Sequence, residues 1–365
     1  MPDDADRAVA ELCGELFAGL PRKDQRRRGV EYVHGLLRTS GRKSIRNIAG
    51  AANEQRLHHF VSDSTWDWMP VRRALREHLL RSAPPLAWVV HSMIIPKAGE
   101  HTVGVGRRYC HTRGSFLSAQ HAMGLWAAAP GWSSPVHWRL HLSATWLGDA
   151  DRRRRAAIPA AAVPQPVDEC LVDTYLELVA DRELPVVLDA RDLDAPAVIR
   201  RLRAAGAPVL VRIDGATPLC PDAPIPGHAG GALPAAQLLE MVRHTRRPVF
   251  GAGAALATTR TVRLPGPGRP DDLVLLGVGG PGPGWPGEVW LTTCTGHGLA
   301  DLVRLGRLPA RVGTDLIGIG DRVGLRDFTG RSFAGWHRHI TLASAAHALV
   351  ALHGAAPEDN LRRAG

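Results

Sequence analysis

The sequence predicts a mixed α/β protein: a small all-α N-terminal part, then a domain of antiparallel strands that gives way to alternating helices and strands. Three observations carry this. Apolar residues recur at helical spacing through about residue 82. A Pro-rich junction, "RSAPPLA" from Arg81 to Ala87, then breaks the pattern. Beyond it, β-branched and aromatic runs joined by short Gly, Pro or Ser turns replace the helical period.

Helices are expected in "AVAELCGELFAGL" and "GVEYVHGLL", in a basic amphipathic stretch after Ser40 as cap, and from about Pro70 in "STWDWMPVRRALREHLL". Strands follow in "WVVHSMII", "HTVGVGRRY", "LSAQHAMGLWAA" and "PVHWRLHLS", and "DADRRRRAAIP" reads as a charged surface loop. A helix over about 168–182 leads into the buried strand "LPVVLDA", and "APAVIRRLRAAGAPVLVRI" continues as helix then strand. An antiparallel meander followed by αβ units is the order of a ribonuclease H-like fold. Residues 214–290 turn rich in Gly and Pro with short β pieces, a β-rich insertion, before a glycine-containing helical region and a last long helix in "GWHRHITLASAAHALVALH". The domains expected are 1–82 (helical, basic), 83–355 with its insertion, and 356–365 as a tail.

Composition bounds the function. The 365 residues carry 45 Lys and Arg against 35 Asp and Glu, a net charge of +10 that favours a polyanionic partner. No run reaches the roughly 18–20 apolar residues of a membrane span, and the acidic start has no secretion-signal pattern, so a cytoplasmic, nucleoid-associated location is expected. The five cysteines are dispersed without a CxxC pair, which argues for buried thiols rather than disulfides or zinc. Charge is concentrated between Arg22 and Arg46, where nine basic residues meet two acids. Placed on short helices, Arg22, Lys23, Arg26, Arg27, Arg28, Arg42, Lys43 and Arg46 are the DNA-contact set. Double-stranded DNA is the expected partner, and a homodimer is possible. The glycine runs "GPGRP" and "GGPGPGWPG" lack a phosphate-loop context and read as turns. His337 and His339, two apart on a helix, read as packing and capping residues.

Two blocks carry a resemblance. "AWVVHSMIIPKAGEHTVGVGRRY" and "GLRDFTGRSFAGWHRHITL" resemble the "WVVDDTxFPKxGxxSVGVxRQY" and "GLDxxEGRSWxGWHRHxTL" of DDE-superfamily insertion-sequence transposases, in the insertion sequence 701 branch. "GRKS" in the helical part is similar as well, and the likeness runs from about Leu16 to Leu352. The resemblance implies phosphodiester cleavage and strand transfer by two divalent metals held on two strand aspartates and a helix glutamate. It places the first acid at His91, the second at Asp189 with Asp194 trailing it, and the third at Gly313. Pro309 and Gly320 stand where a basic pair is expected, and of the polar set on that helix Arg311 survives. Asp315 lies about 200° around the helix from Gly313 and should point away. One carboxylate of three, Asp189, is left to hold metal. The implied function is therefore a transposase-like DNA-binding protein with a degenerate triad and no resident cofactor, or Mg²⁺ or Mn²⁺ if the site is active. An active enzyme with an atypical metal site is the first alternative. A non-catalytic relic or protein-interaction scaffold is the second.

Overall fold

The computed structural model describes residues 2–99, 101–110, 114–223, 225, 230–249, 255–266 and 273–354. In chain order the N-terminal elements are α1 (Pro2–Phe17), α2 (Lys23–Arg38), α3 (Ile45–His58), a π-helical segment His59–Asp63, and α4 (Trp68–Ser82). Then come β1 (Ala87–Pro96), β2 (Gly106–Cys110), β3 (Ser115–Ala129), β4 (Trp132–Leu140), α5 (Ala144–Gly148), α6 (Ala150–Arg155) and α7 (Val167–Leu176). The next group is β5 (Val186–Asp189), α8 (Ala195–Ala204), β6 (Val209–Arg212), β7 (Pro218–Pro221), β8 (Leu233–Pro234), α9 (Ala235–Met241) and β9 (Arg247–Val249). The chain continues through β10 (Ala255–Arg263), β11 (Leu273–Gly279), β12 (Glu288–Thr292), α10 (Leu299–Gly306), α11 (Leu308–Gly318) and α12 (Phe333–His353).

The chain divides into two compact units. The first comprises Met1–Pro85, Ser92–Cys170 and Val312–Gly365. Its centre is α12, where every residue from Gly335 to Leu349 is buried. A helix buried all round must be wrapped on every side, and α12 packs against β4, α2, α4 and the π-helical segment, which also supply partners for its buried His and Arg side chains. Ser332 caps it by accepting from the Gly335 N–H. Beside it β3 pairs antiparallel with β2 and β4, and the Lys97 N–H at the end of β1 donates to the Ser118 carbonyl of β3. Small residues let these layers close: a Cβ at Gly124 would overlap the Trp126 and Trp138 rings.

The second unit is Leu86–His91 with Leu171–Arg311. The first half of β1 lies parallel to β5, and β5 parallel to β6. These strands are continuous apolar runs because both faces are covered. β12, β11 and β10 extend the sheet antiparallel, with β7 and β9 on β10 and β8 on β7. The Gly/Pro-rich segment is thus a β-rich insertion. Its described "GGPGPGWPG" run is a turn region between β11 and β12, while "GPGRP" falls largely outside the described residues, as does the tail 356–365.

Several local expectations need correction. The cap of α3 is Ser44, which accepts from the Asn47 N–H, rather than Ser40. Helix α4 starts at Trp68 because Asp67 caps it through the Met69 N–H. The helix expected over 168–182 ends at Leu176. The "DRRRR" loop is the short exposed helix α6, capped by Asp149 at the Asp151 and Arg152 N–H groups. Cys13, Cys170 and Cys294 are buried and Cys220 is half-buried, and none of these four is in a disulfide. Among the described residues no helix is long and apolar enough to cross a membrane.

Candidate active site and basic helical face

The second unit brings together two of the three positions that the resemblance implies for acids. Register pairs Val90 of β1 with Leu188 of β5, so the next residues along, His91 and Asp189, fall side by side at the C-terminal strand ends. β6 adds Arg212, paired in register with Asp189. In open α/β sheets this end of parallel strands is where ligands bind. His91 is half-buried. Burial pulls its pKa below the ordinary value and the Asp189 charge only partly restores it, so the ring is neutral at pH 7.

Asp189 is not a free carboxylate. Arg191, two residues on, donates its backbone N–H to Oδ1 at 3.1 Å, Nε to Oδ1 at 3.0 Å and Nη2 to Oδ2 at 2.7 Å. Burial would raise the Asp189 pKa, but these hydrogen bonds, the Arg191 charge and the Arg212 charge outweigh it and hold it low. Arg212 also faces Glu288 at 3.6 Å and lies over the Trp290 ring. The trailing acid, Asp194, caps α8 through the Ala197 N–H. A bidentate guanidinium therefore already engages both oxygens of Asp189.

Gly313, where the resemblance implies the third acid, lies on α11 within the first unit, with open space where a side chain would stand. Asp315 points elsewhere: it is buried and accepts from the Ser133 N–H at 2.9 Å and the Ser133 hydroxyl at 2.7 Å. The helix stops at Gly318, and at Gly320 a Cβ would overlap the Leu316 carbonyl. A lysine at 320 has no place in this backbone. At the positions that the resemblance implies for metal ligands, His91 and Gly313 carry no carboxylate, and the Asp189 carboxylate is engaged by Arg191. Among the described residues no group of three His, Cys, Asp or Glu could hold a metal ion.

The basic residues of the helical part separate into two sets. Arg22, Lys23, Arg26, Arg27, Arg42 and Arg46 are exposed, and Arg28 is half-buried. Arg22 pairs with Asp24, and Arg27 and Arg28 pair with Glu31, while Lys23, Arg42 and Arg46 have no acidic partner among the described residues. Lys43 departs from the expected surface set. It is 4% exposed, its ammonium is bonded to the Thr39 carbonyl, and its backbone N–H donates to Asp327. It holds the α2–α3 connection and does not face solvent.

The model of the DDE superfamily endonuclease family matches residues 15–259, more than half of the chain. The chain belongs to the DDE superfamily endonucleases. Its fold is the ribonuclease H-like one of that family. No curated protein matches it in sequence. Among solved structures it is similar to the piggyBac transposase in a cryo-EM synaptic complex with hairpin DNA, at 9% identity and a TM-score of 0.46, covering 96% of this chain and 73% of that one.

Sequence reasoning missed two features of this DDE-family chain. The Arg191 clamp is local, and the "DARD" spacing was signal enough to find it. Arg72 is 1% exposed inside the first unit, and nothing near it in sequence marks it as buried. Its guanidinium donates to the Thr341 hydroxyl (2.7 Å), the Trp138 carbonyl (2.8 Å) and the His337 carbonyl (3.2 Å), with the His137 and His337 rings at 3.2 and 3.1 Å. His337 and His339 are buried, as packing residues should be, and Trp68 stacks on His337 at 4.8 Å.

Proposed function

We propose that this DDE-family chain, of the insertion-sequence type and its 701 branch, binds double-stranded DNA and has lost or nearly lost its nuclease. The single observation that carries the loss is the bidentate Arg191–Asp189 pair, which neutralises the one remaining acid position. DNA binding is supported by the exposed guanidinium and ammonium groups on α2, α3 and their connection. The partner would be held through phosphates, so affinity would fall with salt.

Two measurements test this. A DNA isotherm across salt concentrations should give a slope that flattens by about 0.9 for each phosphate contact removed. A variant with Lys23, Arg26, Arg27, Arg42 and Arg46 changed to Ala should bind all sequences more weakly, and an unchanged slope would refute the interface. Nicking and strand transfer should be absent with Mg²⁺ or Mn²⁺. Robust cleavage that disappears in Asp189→Asn would show a living site of atypical composition instead. Arg191→Gly should free Asp189 and raise its pKa without restoring cleavage.

A further inference from the structure

The β2–β3 hairpin carries an aromatic pair that the reading above does not use. Register sets Tyr109 opposite Phe116 and Arg107 opposite Ser118. Side chains alternate between the faces of a strand, so these four share one face, and Arg108 and Leu117 belong to the other. On that other face Arg108 turns toward the protein, with Nη2 2.9 Å from the His141 ring. The first face is open: Tyr109 is 47% exposed, Phe116 is 63% exposed, and Arg107 is exposed as well. Among the described Phe, Trp and Tyr residues only these two are exposed, and they are side by side.

A single exposed apolar residue needs no explanation, but a cluster of them on the end strand of a sheet is a liability that proteins usually mask. β2 is that end strand, paired with β3 alone. The two rings meet edge to face with centroids 5.3 Å apart and planes at 68°, and the Arg107 guanidinium lies over Phe116 at 5.5 Å. These contacts tie the hairpin together, yet Phe116 still keeps most of its surface in water. The second observation is charge. From His101 to Gly148 the chain holds four Arg and no Asp or Glu. A stretch of one sign suits a polyanion and repels a second copy of the same face.

We propose that this hairpin face stacks unpaired bases of a DNA strand, with Tyr109 and Phe116 against the bases and Arg107 on a phosphate of the same strand. Exposed rings beside a cation are the combination that holds single strands, because every base has a flat π face and every linkage an anionic oxygen. A duplex hides those faces in its own stack, so the platform takes bases only where pairing is broken. The 68° between the rings also asks for a chain that can turn between one base and the next, which a single strand can do and a duplex cannot. The site lies on β2 and β3 and does not rest on the α2–α3 duplex reading, so either can fail while the other holds.

The test uses the full chain, fluorescence anisotropy and three labelled probes of equal length: an oligothymidylate, the same backbone carrying abasic sites, and a perfect duplex. Oligothymidylate should bind about tenfold or more tighter than the abasic strand, the size expected of base–aromatic stacking. Tyr109→Ser with Phe116→Ser should remove that preference and leave duplex affinity unchanged, with the melting temperature reporting the fold. Phe116→Leu keeps the apolar area without the π face and should lose most of the preference as well. Arg107→Gln should flatten the salt slope on oligothymidylate by about 0.7 while the preference over the abasic strand survives. The alanine variant at Lys23, Arg26, Arg27, Arg42 and Arg46 should show the reverse pattern, weaker on duplex with the preference for bases intact. Equal binding of the oligothymidylate and abasic strands by the parent would overturn the proposal, as would a preference that survives the double serine variant or Phe116→Leu. It would equally be overturned by a double variant that sediments at lower mass than the parent with strand binding unaffected, which would assign the face to a second copy of the chain.

Discussion

Acidification from pH 7.5 to 5 should strip the first unit of much of its stability, because α12 buries histidines in the neutral form. His339 is 1% exposed, its Nε2–H donates to the Gly324 carbonyl at 2.9 Å, and its Nδ1 accepts from the Tyr32 hydroxyl at 2.9 Å. His347 is fully buried with Nε2 directed at the Asp315 carbonyl. Burial pulls both from 6.5 to about 4, and it pushes His337 well below its ordinary value, with Arg72 adding repulsion. A folded pKa below the unfolded one means that stability is fully present above pH 6.5 and falls as pH drops toward 4. At pH 5 the unfolded chain holds nearly one proton more at each of His339 and His347. That is about 2 kcal/mol apiece and about 4 kcal/mol together, with His337 acting in the same direction. Against a typical domain stability of about 5–15 kcal/mol this is a large share. Urea titrations followed by tryptophan fluorescence should therefore show the midpoint falling by more than about 1 M between pH 7.5 and 5. His347→Gln keeps a donor for Asp315 but cannot titrate, so the slope between pH 6 and 5 should shrink by about 1.2 kcal/mol per pH unit. A midpoint unchanged over this range, or a variant slope equal to the parent's, would refute the reasoning.

Two other substitutions probe the packing. Arg72→Met should cost about 3–5 kcal/mol in chemical denaturation, since the Trp138 carbonyl, the Thr341 hydroxyl and the His137 and His337 rings each lose a buried donor. Two glycines in and just after α11 should respond oppositely. Gly313→Glu, with open space around it, should stabilise by about 0.5–1 kcal/mol in thermal melts, whereas Gly320→Lys should destabilise because its Cβ meets the Leu316 carbonyl.

What the sequence by itself determined is what neighbours in the chain decide. The 3.6-residue period of α2 and α4, the apolar runs of β1 and β5, and the strand end at Asp189 were all legible, because hydrophobic pattern and turn chemistry act over a few residues. The Arg191 clamp belongs to this class as well, since donor and acceptor are two residues apart. The misplaced boundaries had local causes too: Ser44, Asp67 and Asp149 proved to be the caps, and several polar residues in each stretch could have served. Only the tertiary structure decided which side of each element faces solvent and which distant groups meet. Lys43 looked like one more cation in a basic run until Thr39 and Asp327 claimed it. The side-by-side placement of His91 and Asp189 needs the parallel register of β1 and β5, nearly 100 residues apart. The Arg72 network joins residues separated by 65 to 269 positions. Burial of a polar group is a property of everything packed around it. A run of letters records each group's chemistry but not its surroundings.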